Sequence, residues 1–190
     1  MIALRGQLNQ RTKTNVTLSL NKDLYDSLLH EATSEGISLN SKINSILTKN
    51  VIFYRYEDHV GSIIIMPEIV SFFIESTNEN EMIELLQNHM SNQILPFLKM
   101  NNMELNLKNL IENFFQRVFL WSGFYNSFNY DINENQLQLI FRHRYGIKWS
   151  RIIEKIFFHI TSSLDYKFSY DILNDTVIMR LHVDKDLKHL

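Results

Sequence analysis

The sequence predicts an α+β protein in which a small strand-helix-helix head precedes a mixed body of helices and antiparallel β-hairpins. Three observations carry this prediction. Residues 15–20, NVTLSL, alternate strictly between polar and apolar, the period of a half-buried strand. Two helical patterns follow at once, separated by Gly36. Farther on the period returns to two, in segment pairs that flank one amphipathic stretch.

The elements follow in order. Residues 1–13 show little periodicity and read as a flexible basic arm. In the strand, Val16, Leu18 and Leu20 share one face and Asn15, Thr17 and Ser19 the other. Asn21 is a natural N-cap for KDLYDSLLHEATSE, where Leu24, Leu28 and Ala32 form an apolar stripe. Gly36 supplies the left-handed residue that stops this helix. Ser38 caps the next, whose Leu39, Ile43, Ile46 and Leu47 keep helical spacing and which extends to about residue 56.

Residues 14–56 thus form one predicted unit and 57–190 a second, α+β one. Pro67 suits the first turn of a helix over about 67–76, and further helices are expected at about 80–98 and 104–121. YNSFNYDI and QLQLIFRHRY flank an NEN turn as one hairpin. YKFSYDIL and TVIMRLHV flank ND as another, with the amphipathic KWSRIIEKIFFHITSSL between the two.

Composition narrows the function classes. With 45% hydrophobic residues the chain has material for a core, which excludes wholesale disorder. It has no cysteine, which removes disulfide scaffolds, thiolate metal sites and cysteine nucleophiles. Apolar runs such as IIIM at 63–66 are far short of the roughly 18–20 residues that span a bilayer, and no signal-peptide pattern opens the chain. A cytoplasmic, nucleoid-associated protein with no membrane partner is expected. The net charge of −2 is unevenly spread: residues 1–22 carry +4 with no acid, and residues 51–190 carry −4. A basic end on an acidic body is the natural meeting point for a polyanion.

A lone six-residue strand leaves its backbone groups unpaired. Pairing it antiparallel with the same strand of a second chain solves this and exposes Asn15, Thr17 and Ser19 twice on one polar face. A two-stranded ribbon fits the major groove of DNA, where short polar side chains reach base edges. SLNS, at the start of the second helix, offers free amides and small polar side chains for a phosphate.

KTNVTLSLNKDLYDSLLHEATSEGISLNSKINSILTKN resembles the ribbon-helix-helix DNA-binding domain of the Arc, MetJ and CopG class. The resemblance rests on the alternating strand, the polar cap before the first helix and the GISLNSKI turn. It covers 13–50 and says nothing of the rest. It implies an intertwined dimer whose ribbon reads the major groove of double-stranded DNA. Asn15, Thr17 and Ser19 match the base-reading positions. Ser38 and Asn40 match the phosphate-contacting turn, with Arg11 and Lys13 placed for the backbone. Thr17 and Ser19 are shorter than the Arg, Lys or Gln the family often carries there, so DNA shape supplies part of the specificity.

Other signals point to chemistry less directly. Seven histidines invite a metal reading, as in a nickel-sensing branch of the family, but His143, His159 and His182 lack ligand spacing. No metal and no cofactor are expected. The run FRHRYGIKWSR places Arg142, His143, Arg144, Lys148 and Arg151 around Tyr145 and Trp149, as an anion site or as a solvated rim. The aromatics of ENFFQRVFLWSGFYNSF read as core or interface before they read as a ligand pocket. No nucleotide, hydrolase or protease motif occurs, so no enzyme and no catalytic residue are expected.

The reading is a homodimeric, or higher even-numbered, DNA-binding transcriptional regulator of repressor-like, prokaryotic type. Its body adds oligomerisation or the sensing of an unidentified small effector. The alternatives are an antitoxin of a toxin–antitoxin pair, and a ligand-binding protein that uses the head only to dimerise.

Overall fold

The computed structural model describes residues 14–55, 65–133, 136–162, 164 and 166–182. The basic arm, the stretch 56–64, the hairpin turn at 134–135 and the tail after 182 lie outside the described residues.

Helices open where a side chain satisfies the free amides of the first turn. Helix α1 (Lys22–Ser34) is capped by Asn21, whose side-chain oxygen accepts the Leu24 N–H at 2.8 Å. It stops at Gly36, where φ is +67°. That turn lets the Ile37 N–H reach the Ala32 carbonyl at 3.0 Å and the Gly36 N–H reach that of Thr33 at 3.1 Å. Space around Gly36 is open, so a side chain there meets only the backbone cost of the left-handed region, about 1–2 kcal/mol.

Helix α2 (Leu39–Lys49) starts on Ser38, as expected. It runs on through a π-bonded turn, Asn50–Tyr54, to Arg55. Helix α3 (Pro67–Ser76) begins on its proline, and α4 (Glu79–Met100) is capped by Asn78. Helix α5 opens as one α-turn, Leu107–Asn109, and continues with π-type bonding over Leu110–Phe119. Its buried pairs Leu110/Ile111, Phe114/Phe115 and Val118/Phe119 repeat every four residues.

Strands β1 (Ser127–Asn133) and β2 (Gln136–Arg142) form the first hairpin. Helix α6 (Gly146–Thr161) connects it to the second, β3 (Phe168–Ile172) and β4 (Thr176–His182). The sheet is antiparallel throughout, in the order β1-β2-β4-β3, so the second strand of each hairpin lies inside. The register stacks like with like: Tyr130, Leu139, Met179 and Tyr170 form one row across all four strands. Phe128, Phe141, Val177 and Ile172 form the next.

This face is apolar and lies against α6, whose Ile152, Ile153, Ile156 and Phe157 are fully buried. Phe115, Phe119, Phe141 and Phe157 close the layer ring against ring, at 4.5–6.0 Å between centroids. Each such ring contributes about 1.5–3 kcal/mol by leaving water. The aromatic run of the sequence is therefore core. The other face of the sheet is polar, with Asp171 paired to Arg180 across β3 and β4.

Residues 14–49 look different. Ala32 is their one buried apolar side chain among the described residues. The stretch 15–20, expected as a strand, pairs with no strand among the described residues, and Val16 and Leu18 are 74% and 53% exposed. The helical pair is anchored only at its far end. There Ile52 and Phe53 enter the core and Phe53 meets Trp121 edge-on at 6.1 Å.

His143, just after β2, is buried and neutral. The Tyr145 N–H donates to its Nδ1 at 3.2 Å, so Nε2 carries the proton and donates to Ser150 Oγ at 2.8 Å. Ser150 in turn donates to the Leu173 carbonyl at 2.6 Å, which ties α6 to the second hairpin. Burial pushes His143 down to about 4, and Asp175 opposes this only in part. The unfolded chain binds this proton near the ordinary value of about 6.5. The stabilising contribution is therefore intact above pH 6.5 and is lost as pH falls toward 4, amounting to about 2 kcal/mol at pH 5. Chemical denaturation at a series of pH values should show this slope, and His143→Gln should flatten it. An unchanged slope in the variant would mean that the acid sensitivity lies elsewhere.

Candidate nucleic-acid interface

Asn15, Thr17 and Ser19 are all exposed. Val16 and Leu18, on the other side of the alternation, are exposed as well, so no described residue covers either set. Arg11 and Lys13 lie outside the described residues.

Ser38 and Asn40 sit together at the exposed start of α2. The Ser38 hydroxyl is already engaged, accepting the Ser41 N–H at 3.1 Å and sharing a hydrogen bond with Ser41 Oγ at 2.8 Å. The Leu39 and Asn40 amides have no acceptor among the described residues. Together with the positive end of the helix dipole they form the polar element of this turn. Ser38 shapes the turn, while the backbone of the next two residues presents the donors.

Sequence reasoning missed Lys42. Its ammonium lies 2.9 Å from Glu31 and 2.5 Å from Glu35, and so clasps the last turn of α1 to the first turn of α2. Hydrogen bonds to Glu35 and then Glu31 raise its pKa above the usual lysine value. Lys42 is thus a cation beside the Ser38 turn whose charge is already matched. The spacing of Glu31 and Glu35, on one face of α1 next to a glycine turn, was the only trace in the sequence.

In the basic run of the body, Lys148 and Arg151 are engaged internally, while Arg142 and Arg144 are exposed. Lys148 donates to the Glu75 and Thr77 carbonyls at the end of α3. Arg151 forks onto both Glu79 oxygens at 2.6–3.1 Å and holds that carboxyl below its usual range. The Trp149 indole N–H donates to the Phe124 carbonyl at 2.9 Å. Lys148, Trp149 and Arg151 staple α6 to α3, α4 and the segment before β1.

His143 and His182 lie at opposite ends of the β2–β4 ladder, since Arg142 pairs with Thr176 and Gln136 with His182. Among the described residues no cluster of His, Asp and Glu is arranged to hold a metal ion. The best-formed hollow they line, between α5 and β1–β2 at Lys108, Ile111 and Tyr130, is about the size of a water molecule. No described helix is long and apolar enough to cross a membrane. No family model and no curated protein matches the chain.

Proposed function

We propose that the protein is a sequence-specific DNA-binding regulator that acts as a homodimer through residues 14–49. One observation carries this reading. An alternating segment and two well-capped helices stand together with their apolar sides uncovered in the single chain. A second copy supplies what is missing, since strand 15–20 of one chain pairs with that of the other and covers Val16, Leu18 and both helices. The ribbon so formed carries Asn15, Thr17 and Ser19 twice on its outer face, with the width and polarity to enter a major groove. The Leu39 and Asn40 amides then receive phosphates, and the basic arm with Arg11 and Lys13 adds charge at the same end.

The body, acidic over residues 51–190, is poorly suited to broad phosphate contact. Its part is to hold and position the copies. No reaction is assigned to it.

Replacing Asn15, Thr17 and Ser19 together by Ala should leave secondary structure and subunit mass unchanged. Preference among selected DNA sites should collapse, because each good base contact discriminates by about 1–3 kcal/mol and is used twice. Unchanged preference in a binding titration would remove the ribbon from recognition.

Salt dependence separates the lysines. Lys13→Gln should reduce the slope of log affinity against log salt by about one unit for each phosphate the side chain had neutralised. Lys42→Gln should leave it nearly unchanged, since that cation is already matched by Glu31 and Glu35. Equal effects in both variants would mean that the clasp opens on DNA and Lys42 is itself a phosphate ligand.

A further inference from the structure

Lys42 lies in the first turn of α2, its N–H on the Ser38 carbonyl at 3.0 Å. The positive end of that helix's dipole disfavours a cation there. The end of α1 offsets this with two carboxylates, Glu31 at 2.9 Å and Glu35 at 2.5 Å from the ammonium. One ammonium against two carboxylates leaves the cluster with a net negative charge. Lys22 and Lys49, the other described lysines of residues 14–49, have no carboxylate partner among the described residues. The pairing is particular to the lysine beside the Ser38 turn.

Exposure decides which group faces outward. The Lys42 side chain is 14% exposed, and those of Glu31 and Glu35 are 56% and 50%. The lysine is covered and the acids meet solvent. A polyanion that approaches this turn therefore meets carboxylates before it meets the ammonium. An uncovered lysine in this place would add a phosphate contact in each chain, and such contacts carry no sequence information. Each would tighten binding to every duplex alike, on the order of tenfold at ~0.1 M salt. That gain would go to all the competing non-specific sites of a genome as well as to the operator.

We propose that Glu31 and Glu35 withhold Lys42 from the DNA backbone and so restrain the sequence-independent part of binding, an inference that rests on the DNA-binding reading above. The clasp leaves the phosphates of this turn to the uncharged Leu39 and Asn40 amides. Base contacts from the ribbon then supply a larger share of the affinity.

Glu31→Gln combined with Glu35→Gln tests this, because a glutamine oxygen still accepts a hydrogen bond from Lys42 while both charges are removed. Affinity for a random-sequence duplex is titrated by fluorescence anisotropy over a salt series. Four full-length proteins are compared: the unchanged chain, the double variant, Lys42→Gln and the triple variant. Circular dichroism and light scattering report whether fold and mass are kept. The double variant should bind on the order of tenfold more tightly for each lysine released at ~0.1 M salt, with the slope of log affinity against log salt steeper by about one unit for each. In the Lys42→Gln background the same two changes should leave the slope unaltered and give a much smaller gain. An equal gain with and without Lys42 means that lost negative charge, rather than a released lysine, is responsible, and this overturns the proposal. An unchanged slope in the double variant overturns it as well. If the double variant loses helical signal, Glu35→Gln alone carries the test and should shift affinity and slope in the same direction, and no shift there also overturns the proposal. If none of the four proteins shows salt-sensitive binding, the DNA-binding reading itself fails and the restraint falls with it.

Discussion

An extended segment needs a neighbour for its backbone, and an amphipathic helix needs an apolar surface to lie on. Among the described residues, 14–49 find little of either. Val16, Leu18, Leu24, Leu29, Ile46 and Leu47 are all exposed, while every local signal for order is satisfied: caps at Asn21 and Ser38, the left-handed Gly36, and the Lys42 clasp. Propensity and caps contribute little beside burial, so what covers these apolar side chains decides how stable the unit is. The remaining functional proposals follow from what completes it. If a second copy does, Asn15, Thr17 and Ser19 become a polar face at fixed spacing. The Ser38 turn then has a defined place beside it.

The body is completed differently. Its polar side chains are largely consumed in joining elements to one another: Lys148 and Arg151 to α3 and α4, Trp149 to the Phe124 carbonyl, His143 and Ser150 to the second hairpin. None of the buried side-chain polar atoms among the described residues lacks a partner. The exposed described surface of the body includes the polar outer face of the sheet and apolar side chains such as Phe72 on α3, Leu85 on α4 and Phe158 on α6.

Local features were legible in the sequence. Caps and stops are written within four residues of where they act, so α1, α2 and the start of α3 emerge near their observed ends. Period two marked both hairpins, and the 3.6 period marked α6. What escaped depends on distant partners. The order β1-β2-β4-β3 is set by which hairpin strand packs inside, and it alone decides that His143 and His182 lie far apart. The π-type bonding of α5 has no signature in its local residue pattern. The same holds at the candidate interface: its polar residues could be read from alternation, whereas the matched charge of Lys42 needed the turn to bring Glu31 and Glu35 beside it.

The central claim is that residues 14–49 are completed by a second copy. Its most direct test is the solution mass of the full-length protein at micromolar concentration, by sedimentation or light scattering. The account predicts twice the chain mass of 22.6 kDa, with no folded monomer populated on dilution before the helical signal falls. A stable, fully helical monomer at 22.6 kDa would contradict it.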